Sequence, residues 1–358
     1  MMEIADMQIA DMQDKYLGCI VGAAAGDALG AATELYPARE IARLCYGRVT
    51  DFMAPLPGAP AYGRRAGQVT DAFSIAYILM NHMIASPGNA DRITGSAALL
   101  GWGKSEWFEP FAGMTTRAVV NALMDETRQD AWAYSGRLGN KLFKSHYYAL
   151  SSNGSAVKAW PAALLHPSDI DATIATTVEL TMASHDDPLS ISGACAISAA
   201  VCEALKKTTK LYDIICAAQY GAKRGEELAR AREDIWVYPG PSVQERIKMA
   251  IDLAVRHGDG GMGALRDLIG CGPGIAETVP VALGLLATRG GNVMEALFDG
   301  ANIGDETAAI ASLVGAIGGA WKGHAVFPNH FLPTIDRENA FDLRRTATEM
   351  LKLGLHTT

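Results

Sequence analysis

The chain has 358 residues, of which 49% are hydrophobic and 37 are glycine, and its formal net charge at pH 7 is -8. A chain of this length and apolarity can bury a large core. The acidic balance argues against a nucleic-acid polymer as partner, because phosphate backbones are bound by clustered Lys and Arg. The six cysteines are scattered without a Cys-x-x-Cys pair, which predicts a reducing, cytoplasmic environment.

Neither an export signal nor a membrane span is expected. The N-terminus carries Glu3, Asp6 and Asp11 where a secretory signal would have basic residues. The best candidate span, 17–33, is interrupted by Asp27 and diluted by glycine and alanine. Residues 1–14 contain a near repeat of Ile-Ala-Asp-Met-Gln and are predicted to form a frayed leader, so the folded domain is expected to occupy 15–358.

Helical periodicity extends along almost the whole chain, whereas strand signals are weak throughout. The predicted helices are, in chain order, 16–29, 69–84, 118–124, 170–183, 191–207, 211–230, 243–257, 279–288, 293–301 and 307–322. Short Gly- and Pro-containing joints separate them, and none is long or polar enough to be a flexible interdomain linker. The pattern therefore predicts a single all-α domain.

Two of these helices are unusually rich in small residues, at 22–26 and at 315–320. Glycine in a helix interior costs roughly 1 kcal/mol relative to alanine, and this cost is tolerated where two backbones must approach closely. If these helices cross, they bring Asp27 and Glu34 close to Asp305 and Glu306. The alternative is that they pack tightly with no site between them.

Two clusters of acidic and hydroxyl side chains stand 235 positions apart, at Thr70-Asp71 and at 305–307. Carboxylates and hydroxyls at adjacent positions are the oxygen ligands that Mg²⁺ and Mn²⁺ prefer. The same residue types are also preferred at helix N-termini, and on the clusters alone that interpretation is favoured. Both interpretations stay open at this point.

Five ordered segments resemble the motifs of the ADP-ribosylglycohydrolase family, which includes dinitrogenase-reductase-activating glycohydrolases and ADP-ribosyl-acceptor hydrolases. Together they span roughly residues 15 to 325, and five blocks in order are far more specific than any one of them. The segments are Gly-Ala-Ala-Ala-Gly-Asp-Ala-Leu-Gly-Ala-Ala-Thr-Glu at 22–34, Gly-Gln-Val-Thr-Asp-Ala at 67–72, Ser-Asn-Gly-Ser-Ala-Val-Lys at 152–158, Ser-His-Asp-Asp-Pro at 184–188, and Asn-Ile-Gly-Asp-Glu-Thr-Ala-Ala-Ile-Ala at 302–311.

The resemblance implies a compact orthogonal helical bundle with a central metal-binding cleft that hydrolyses the C1″ bond of an ADP-ribosyl or related nucleoside-like ribosyl compound. The implied ligands of two Mg²⁺ or Mn²⁺ ions are Thr70, Asp71, Asp305, Glu306 and Thr307. The implied catalytic residues are Glu34, Asp71 and Asp305. The implied substrate-binding residues are Asn153, Gly154, Ser155 and His185. For His185, which lies at a helix boundary, a supporting role is favoured over that of a catalytic base.

Three positions depart from the family pattern. Ala72 stands where the family has a second aspartate, and a methyl group cannot coordinate a metal ion. The motif at 302–311 is one residue shorter than the family pattern, and Lys158 replaces the usual arginine of the 152–158 motif. Three explanations remain open for Ala72: a divergent enzyme with fewer metal ions, a naturally inactive relative, or a deliberate replacement of aspartate. The alternative function is that of a non-catalytic binding or structural protein on the same scaffold.

Overall fold

The computed structural model describes residues 2–125, 151–235, 237 and 239–356, and every regular element within these ranges is helical. The prediction of an all-α fold is confirmed. The helices are α1 Met2–Gly30, α2 Ala38–Leu44, α3 Asp71–Ala85, α4 Arg92–Gly103, α5 Phe108–Phe111, α6 Met114–Met124, α7 Ala156–Ala159, α8 Ala162–Leu165, α9 Ile170–Thr181, α10 Pro188–Ala204, α11 Leu211–Arg230, α12 Val243–His257, α13 Gly261–Leu268, α14 Ile275–Thr288, α15 Val293–Asn302, α16 Thr307–Lys322, α17 Phe331–Asn339 and α18 Leu343–His356. Short 3-10 turns occupy Asn153–Ser155, Gly258–Gly260 and His324–Val326.

Helix α1 begins at Met2 and continues past residue 14, so the secondary structure does not separate the predicted leader from the folded domain. The frayed leader over residues 1–14 stays a prediction. The main cluster of buried apolar side chains contains residues from Tyr16 to Leu351. Both ends of the described chain therefore contribute to one core.

Helices α1 and α16 cross as an antiparallel pair at the centre of this core. Along α1, Gly18, Gly22 and Gly26 recur every fourth residue, so they lie on one face of the helix. A methyl group built on any of them would overlap a backbone carbonyl of α16. The facing carbonyls belong to Gly319, Gly315 and Ala311 in turn. The two backbones are therefore in direct contact, which explains the small-residue composition of both helices.

This contact sets the position of the site. Gly30, at the end of α1, continues the series and abuts the backbone of Thr307, the first residue of α16. The end of one central helix is thereby held beside the start of the other. Loops that leave α1 and loops that enter α16 must share the same region of the surface. No helix of the described ranges is both long enough and apolar enough to cross a membrane.

Candidate active site

The carboxylate of Asp27 holds the start of α3 against the end of α1. It is buried and accepts hydrogen bonds from the backbone N–H groups of Thr70 (2.9 Å) and Phe73 (2.8 Å) and from the Thr70 hydroxyl (2.8 Å). These are N–H groups that a helix start leaves without intrahelical partners. Asp27 therefore caps α3 from another helix and places Asp71, the first residue of α3, at the end of α1.

The loop that carries Glu34 is joined to the loop that carries Asp305 by backbone hydrogen bonds. Leu35 N–H donates to the Asp305 carbonyl at 2.9 Å, and Asp305 N–H donates to the Tyr36 carbonyl at 3.1 Å. Asp305 has φ of 58°, in the left-handed region that aspartate tolerates better than most residues. This pairing brings the segments that carry Glu34 and Asp305, which are 271 positions apart in the sequence, next to each other.

Two further loops are joined to the same assembly. Glu306 N–H donates to the Cys271 carbonyl at 3.1 Å, and Asn153 N–H donates to the Pro273 carbonyl at 2.8 Å. The Asn153 amide also donates to Glu306 Oε2 at 2.8 Å, which orients that carboxylate. Four segments from distant parts of the chain thus converge, and backbone hydrogen bonds determine their arrangement.

Glu34, Asp71 and Glu306 line one cavity of about 370 Å³ at this junction. The other residues that line it are Leu35, Pro60, Pro110, Phe111, Ala112, Gly113, Met114, Thr115, Thr116, Ser152, Asn153, Gly154, Pro273 and Gly274. The cavity therefore combines three acidic side chains with backbone and short polar groups, which is the composition of a site for a small polar ligand.

Burial raises the pKa values of the acidic groups of the cavity, and neighbouring carboxylates add to the shifts. Burial raises the pKa of Asp71 to about 8, and the charges of Asp27 and Glu306 add to the effect. Burial, together with the nearby Glu306 and Asp71, raises the pKa of Glu34 well above its usual value. Burial also raises the pKa of Glu306, although the Asn153 amide opposes this shift by hydrogen bonding. The cluster is thus a region of poorly compensated negative charge.

Asp305 lines an adjoining cavity of about 560 Å³ and is not among the residues that line the acidic one. A methyl group built on Gly272 would lie 3.4 Å from Asp305 Oδ2, which places this carboxylate against the 271–274 loop. Burial raises the pKa of Asp305, and the nearby Glu277 charge adds to the shift. Leu35 lines both cavities, so the two are neighbours.

The two predicted threonine ligands are fully buried and use their hydroxyl hydrogens within the protein. The Thr70 hydroxyl donates to Asp27, and the Thr307 hydroxyl donates to the Gly30 carbonyl at 2.8 Å. A hydroxyl that donates its hydrogen retains oxygen lone pairs. Neither threonine lines the acidic cavity. Each is adjacent in the chain to a residue that does, Asp71 or Glu306.

Of the predicted substrate-binding residues, the structure places Asn153 and Gly154 in the cavity wall. Ser155 is buried, and its hydroxyl donates to the carbonyls of Ser152 (3.0 Å) and Ser190 (3.1 Å). His185 is also buried, and its Nε2 lies 2.9 Å from Oγ of Ser152, which lines the cavity. Ser155 and His185 therefore do not line the cavity themselves but contact Ser152, which does.

Sequence reasoning did not single out Glu277 or Ser152. Glu277 accepts a hydrogen bond from the Gly272 N–H at 3.0 Å and adds negative charge beside Asp305. The available signal was a glycine-rich turn, 270–274, followed three residues later by an acid. Ser152 was quoted as part of a motif, but nothing in the sequence distinguished it from the neighbouring Ser155.

The donors present suit a hard divalent cation by type, since carboxylate and hydroxyl oxygens are what Mg²⁺ and Mn²⁺ coordinate. The accumulated negative charge is what such an ion would neutralise. In the described ranges, no three Asp, Glu, His or Cys side chains are placed closely enough to hold an ion together. Ala72, buried in the core, adds no oxygen atom to the set.

In EDTA, Asp71→Asn is expected to become more stable relative to the wild type as pH rises from about 5 to about 8. The folded-state pKa of Asp71, about 8, lies above its unfolded value, so the wild type loses stability as pH rises between these two values. Asparagine removes this cost, and the gap should widen by at least about 1 kcal/mol. Denaturant unfolding of both proteins at the two pH values measures it. A gap independent of pH would contradict the assignment.

Over the described residues, the fold and the site together define an all-helical protein with an acid-lined cavity where the end of α1 meets the start of α16. The model of the ADP-ribosylglycohydrolase family matches residues 8–355, and the chain belongs to this family. The family resemblance identified from the sequence motifs is thereby confirmed. Membership supports a hydrolase of the ADP-ribosyl glycoside type.

Two curated relatives and one solved structure illustrate the likeness. The chain is 26% identical to YegU of Escherichia coli (strain K12) over 352 residues, which cover 95% of this chain and 97% of that protein. It is 28% identical to the ADP-ribosyl-(dinitrogen reductase) glycohydrolase of Rhodospirillum rubrum over 182 residues, covering 50% of this chain and 54% of that enzyme. A chain of an ADP-ribosylglycohydrolase-related protein complex shares the fold, with a TM-score of 0.67, 19% identity and coverage of 96% of this chain and 99% of that one.

Proposed function

We propose that this protein is a metal-dependent glycoside hydrolase that cleaves the C1″ bond of an ADP-ribosyl group or of a smaller, nucleoside-like ribosyl compound. The observation that supports it most directly is the shared cavity of Glu34, Asp71 and Glu306, which come from three distant segments. The likeness to the Rhodospirillum rubrum enzyme, whose name describes removal of ADP-ribose from a protein, favours ADP-ribosylated substrates.

The carboxyl groups supply the chemistry that glycoside cleavage needs. Positive charge develops at the ribose carbon as its bond to the leaving group breaks, and ionised carboxylates stabilise that charge. Burial, with the neighbouring acidic charges in addition, raises the pKa values of Glu34 and Asp71, which favours the protonated form that a general acid needs. We assign Glu34 to the substrate or its attacking water, and Asp71 and Asp305 to the reacting centre.

We propose Mg²⁺ or Mn²⁺ as the cofactor, with one or two ions held by Thr70, Asp71, Asp305, Glu306 and Thr307. Such an ion would polarise oxygen atoms at the reacting centre when bound. The Asn153 amide holds Glu306 in orientation, and Asp27 holds the helix start that carries Asp71.

The substrate is proposed to lie against the 152–155 turn. Asn153 and Gly154 form the wall directly, whereas Ser155 and His185 hold that wall in place. All six cysteines are free thiols, which supports the expected cytoplasmic location. We infer no nucleic-acid polymer and no membrane as partner.

The test is incubation of the purified protein with ADP-ribosylated arginine, ADP-ribosylated serine and simple nucleosides, with Mg²⁺ or Mn²⁺, and mass spectrometry of the released ribosyl product. Glu34→Gln is expected to lower the rate at least about tenfold. Glu40→Gln is the matched control, because Glu40 pairs with Arg43 on the exposed face of α2 and should leave the rate unchanged. Equal rates for all three proteins would reject the proposed site.

The second candidate is a non-catalytic binding or structural protein on the same scaffold, and Ala72 is the observation that favours it. Divalent cations distinguish the two, because a ligand that binds only the folded state raises the melting temperature. The hydrolase predicts stabilisation by Mg²⁺ or Mn²⁺ that Asp71→Asn weakens. Ribosyl-ligand binding without turnover, in the wild type and in Ala72→Asp alike, would favour the binding protein.

A further inference from the structure

Lys158 has a buried side-chain amine with no carboxylate partner among the residues that the structure describes. The residue is only 3% exposed. Within the described ranges, its Nζ contacts the Gly154 carbonyl at 3.0 Å and His185 Nδ1 at 3.2 Å. Burial lowers the pKa of Lys158 to about 7. Because an unpaired buried charge is costly, a lysine in this position calls for an explanation other than stability.

The contacts of His185 decide which of its ring nitrogens carries the hydrogen. Burial and the Lys158 charge lower the pKa of His185 well below its usual value, so the ring is neutral and has one N–H. Nδ1 lies 2.8 Å from Ser184 Oγ and 3.2 Å from Lys158 Nζ, and Nε2 lies 2.9 Å from Ser152 Oγ.

Only one of these neighbours is restricted to a single role. Either serine hydroxyl can donate or accept, so neither determines the tautomer. Below pH of about 7 Lys158 carries its charge, and an ammonium group has donors only, so the charged form requires Nδ1 to be the acceptor. The ring hydrogen then resides on Nε2 and is donated to the oxygen of Ser152.

Ser152 is consequently left with its own hydroxyl hydrogen to donate. Its oxygen accepts from His185, and no other side-chain partner of this hydroxyl exists among the described residues. Ser152 lines the acidic cavity together with Asn153 and Gly154. The hydrogen is therefore available to a ligand atom in that cavity, and the ligand must offer an acceptor.

We propose that Lys158 is a positioning residue that fixes the tautomer of His185 and thereby makes Ser152 a dedicated hydrogen-bond donor to an anionic phosphoryl oxygen of the substrate. This inference rests on the proposed function, because it assumes a phosphate-bearing ribosyl ligand in the cavity. A hydroxyl that can only donate favours an oxygen without hydrogen over a ribose hydroxyl, which can act in either role. The buried charge behind the serine adds attraction for the anion.

The direct test is the ¹⁵N NMR spectrum of histidine-labelled protein. At about pH 6, where Lys158 is charged, wild-type His185 is expected to show a protonated Nε2 and an unprotonated Nδ1. Lys158→Met keeps the length and apolar bulk of the side chain but removes the donor, so the ring should become a mixture of tautomers. Lys158→Arg keeps a donor and should restore the wild-type pattern. A wild-type ring protonated at Nδ1 would overturn the proposal.

Binding of ADP-ribose, measured calorimetrically in Mg²⁺, tests the consequence. Lys158→Met and Ser152→Ala are each expected to weaken binding about 10- to 100-fold, the range for a hydrogen bond to a charged group. Because both changes act through one hydroxyl, the double variant should lose little more than either single one. Fully additive losses, or wild-type affinity in Lys158→Met, would reject the positioning role. Absence of ADP-ribose binding to the wild type would reject the proposed substrate class. The ¹⁵N NMR spectrum of His185 would still test the tautomer independently.

Discussion

Replacement of Ala72 by aspartate is expected to raise turnover about 10²- to 10³-fold in Mg²⁺ or Mn²⁺, the range associated with one group that stabilises a transition state. Ala72 follows Asp71 in the first turn of α3 and is only 4% exposed. A carboxylate there would add an oxygen donor beside Asp71, at a helix end that favours negative charge. Initial rates of ADP-ribose release from saturating substrate measure the effect.

The control for this change is Ala72→Asn, which has nearly the same size as aspartate but no charge. It is expected to gain less than about tenfold, because a neutral amide is a weaker ligand for a hard cation. In EDTA, Ala72→Asp should melt below the wild type, since it adds another buried charge to Asp27 and Asp71, and Mn²⁺ should reverse the loss. Equal turnover in Ala72→Asp and the wild type would refute the role given to residue 72.

Replacement of Gly22 by alanine is expected to destabilise the protein by about 4 kcal/mol or more, at the upper end of single substitutions. The added methyl group would overlap the carbonyl of Gly315 and also meet the Phe327 ring. Helix α1 cannot move away locally, because Gly18 and Gly26 are in the same close contact with α16 one turn to either side. Thermal melting should show a decrease of roughly 5 °C or more.

Gly260→Ala provides the matched control for the glycine contact. Gly260 has φ of -80° and no atom within 4 Å of the position that a methyl group would occupy. Its replacement should change the unfolding free energy by no more than about 0.5 kcal/mol. Similar melting temperatures for Gly22→Ala and Gly260→Ala would show that the α1–α16 contact can relax, contrary to the packing described.

The long helices could be predicted because their periodicity is local. All ten predicted segments overlap helices of the structure, including the central pair α1 and α16. Eight of the helices given above were not predicted: α2, α4, α5, α7, α8, α13, α17 and α18. Helix α4 contains Thr and several glycines, and α17 has a proline in its first turn, so composition gives both a weak signal. Tertiary packing stabilises them, since α4 buries Trp102 and α17 buries Phe331.

The site could be predicted only in part. Motif order indicated that Glu34, Asp71 and Glu306 belong together, and the structure does bring them to one cavity. The direction of each side chain was not available from the motifs. Asp305 lines the adjoining cavity, and its backbone, in a left-handed conformation, pairs with Leu35 and Tyr36. This pairing joins loops that are remote in the sequence.

The amino-acid sequence by itself determined the helical class, the close crossing of the glycine-rich helices and the family, because periodicity, residue size and motif order are properties of the chain as written. Only the tertiary structure decided which hydroxyls are used within the protein, which cavity Asp305 lines and which ring nitrogens of His185 contact Lys158 and Ser152. These depend on hydrogen bonds between distant segments, and hydrogen-bond direction is set by three-dimensional placement, not by spacing along the chain.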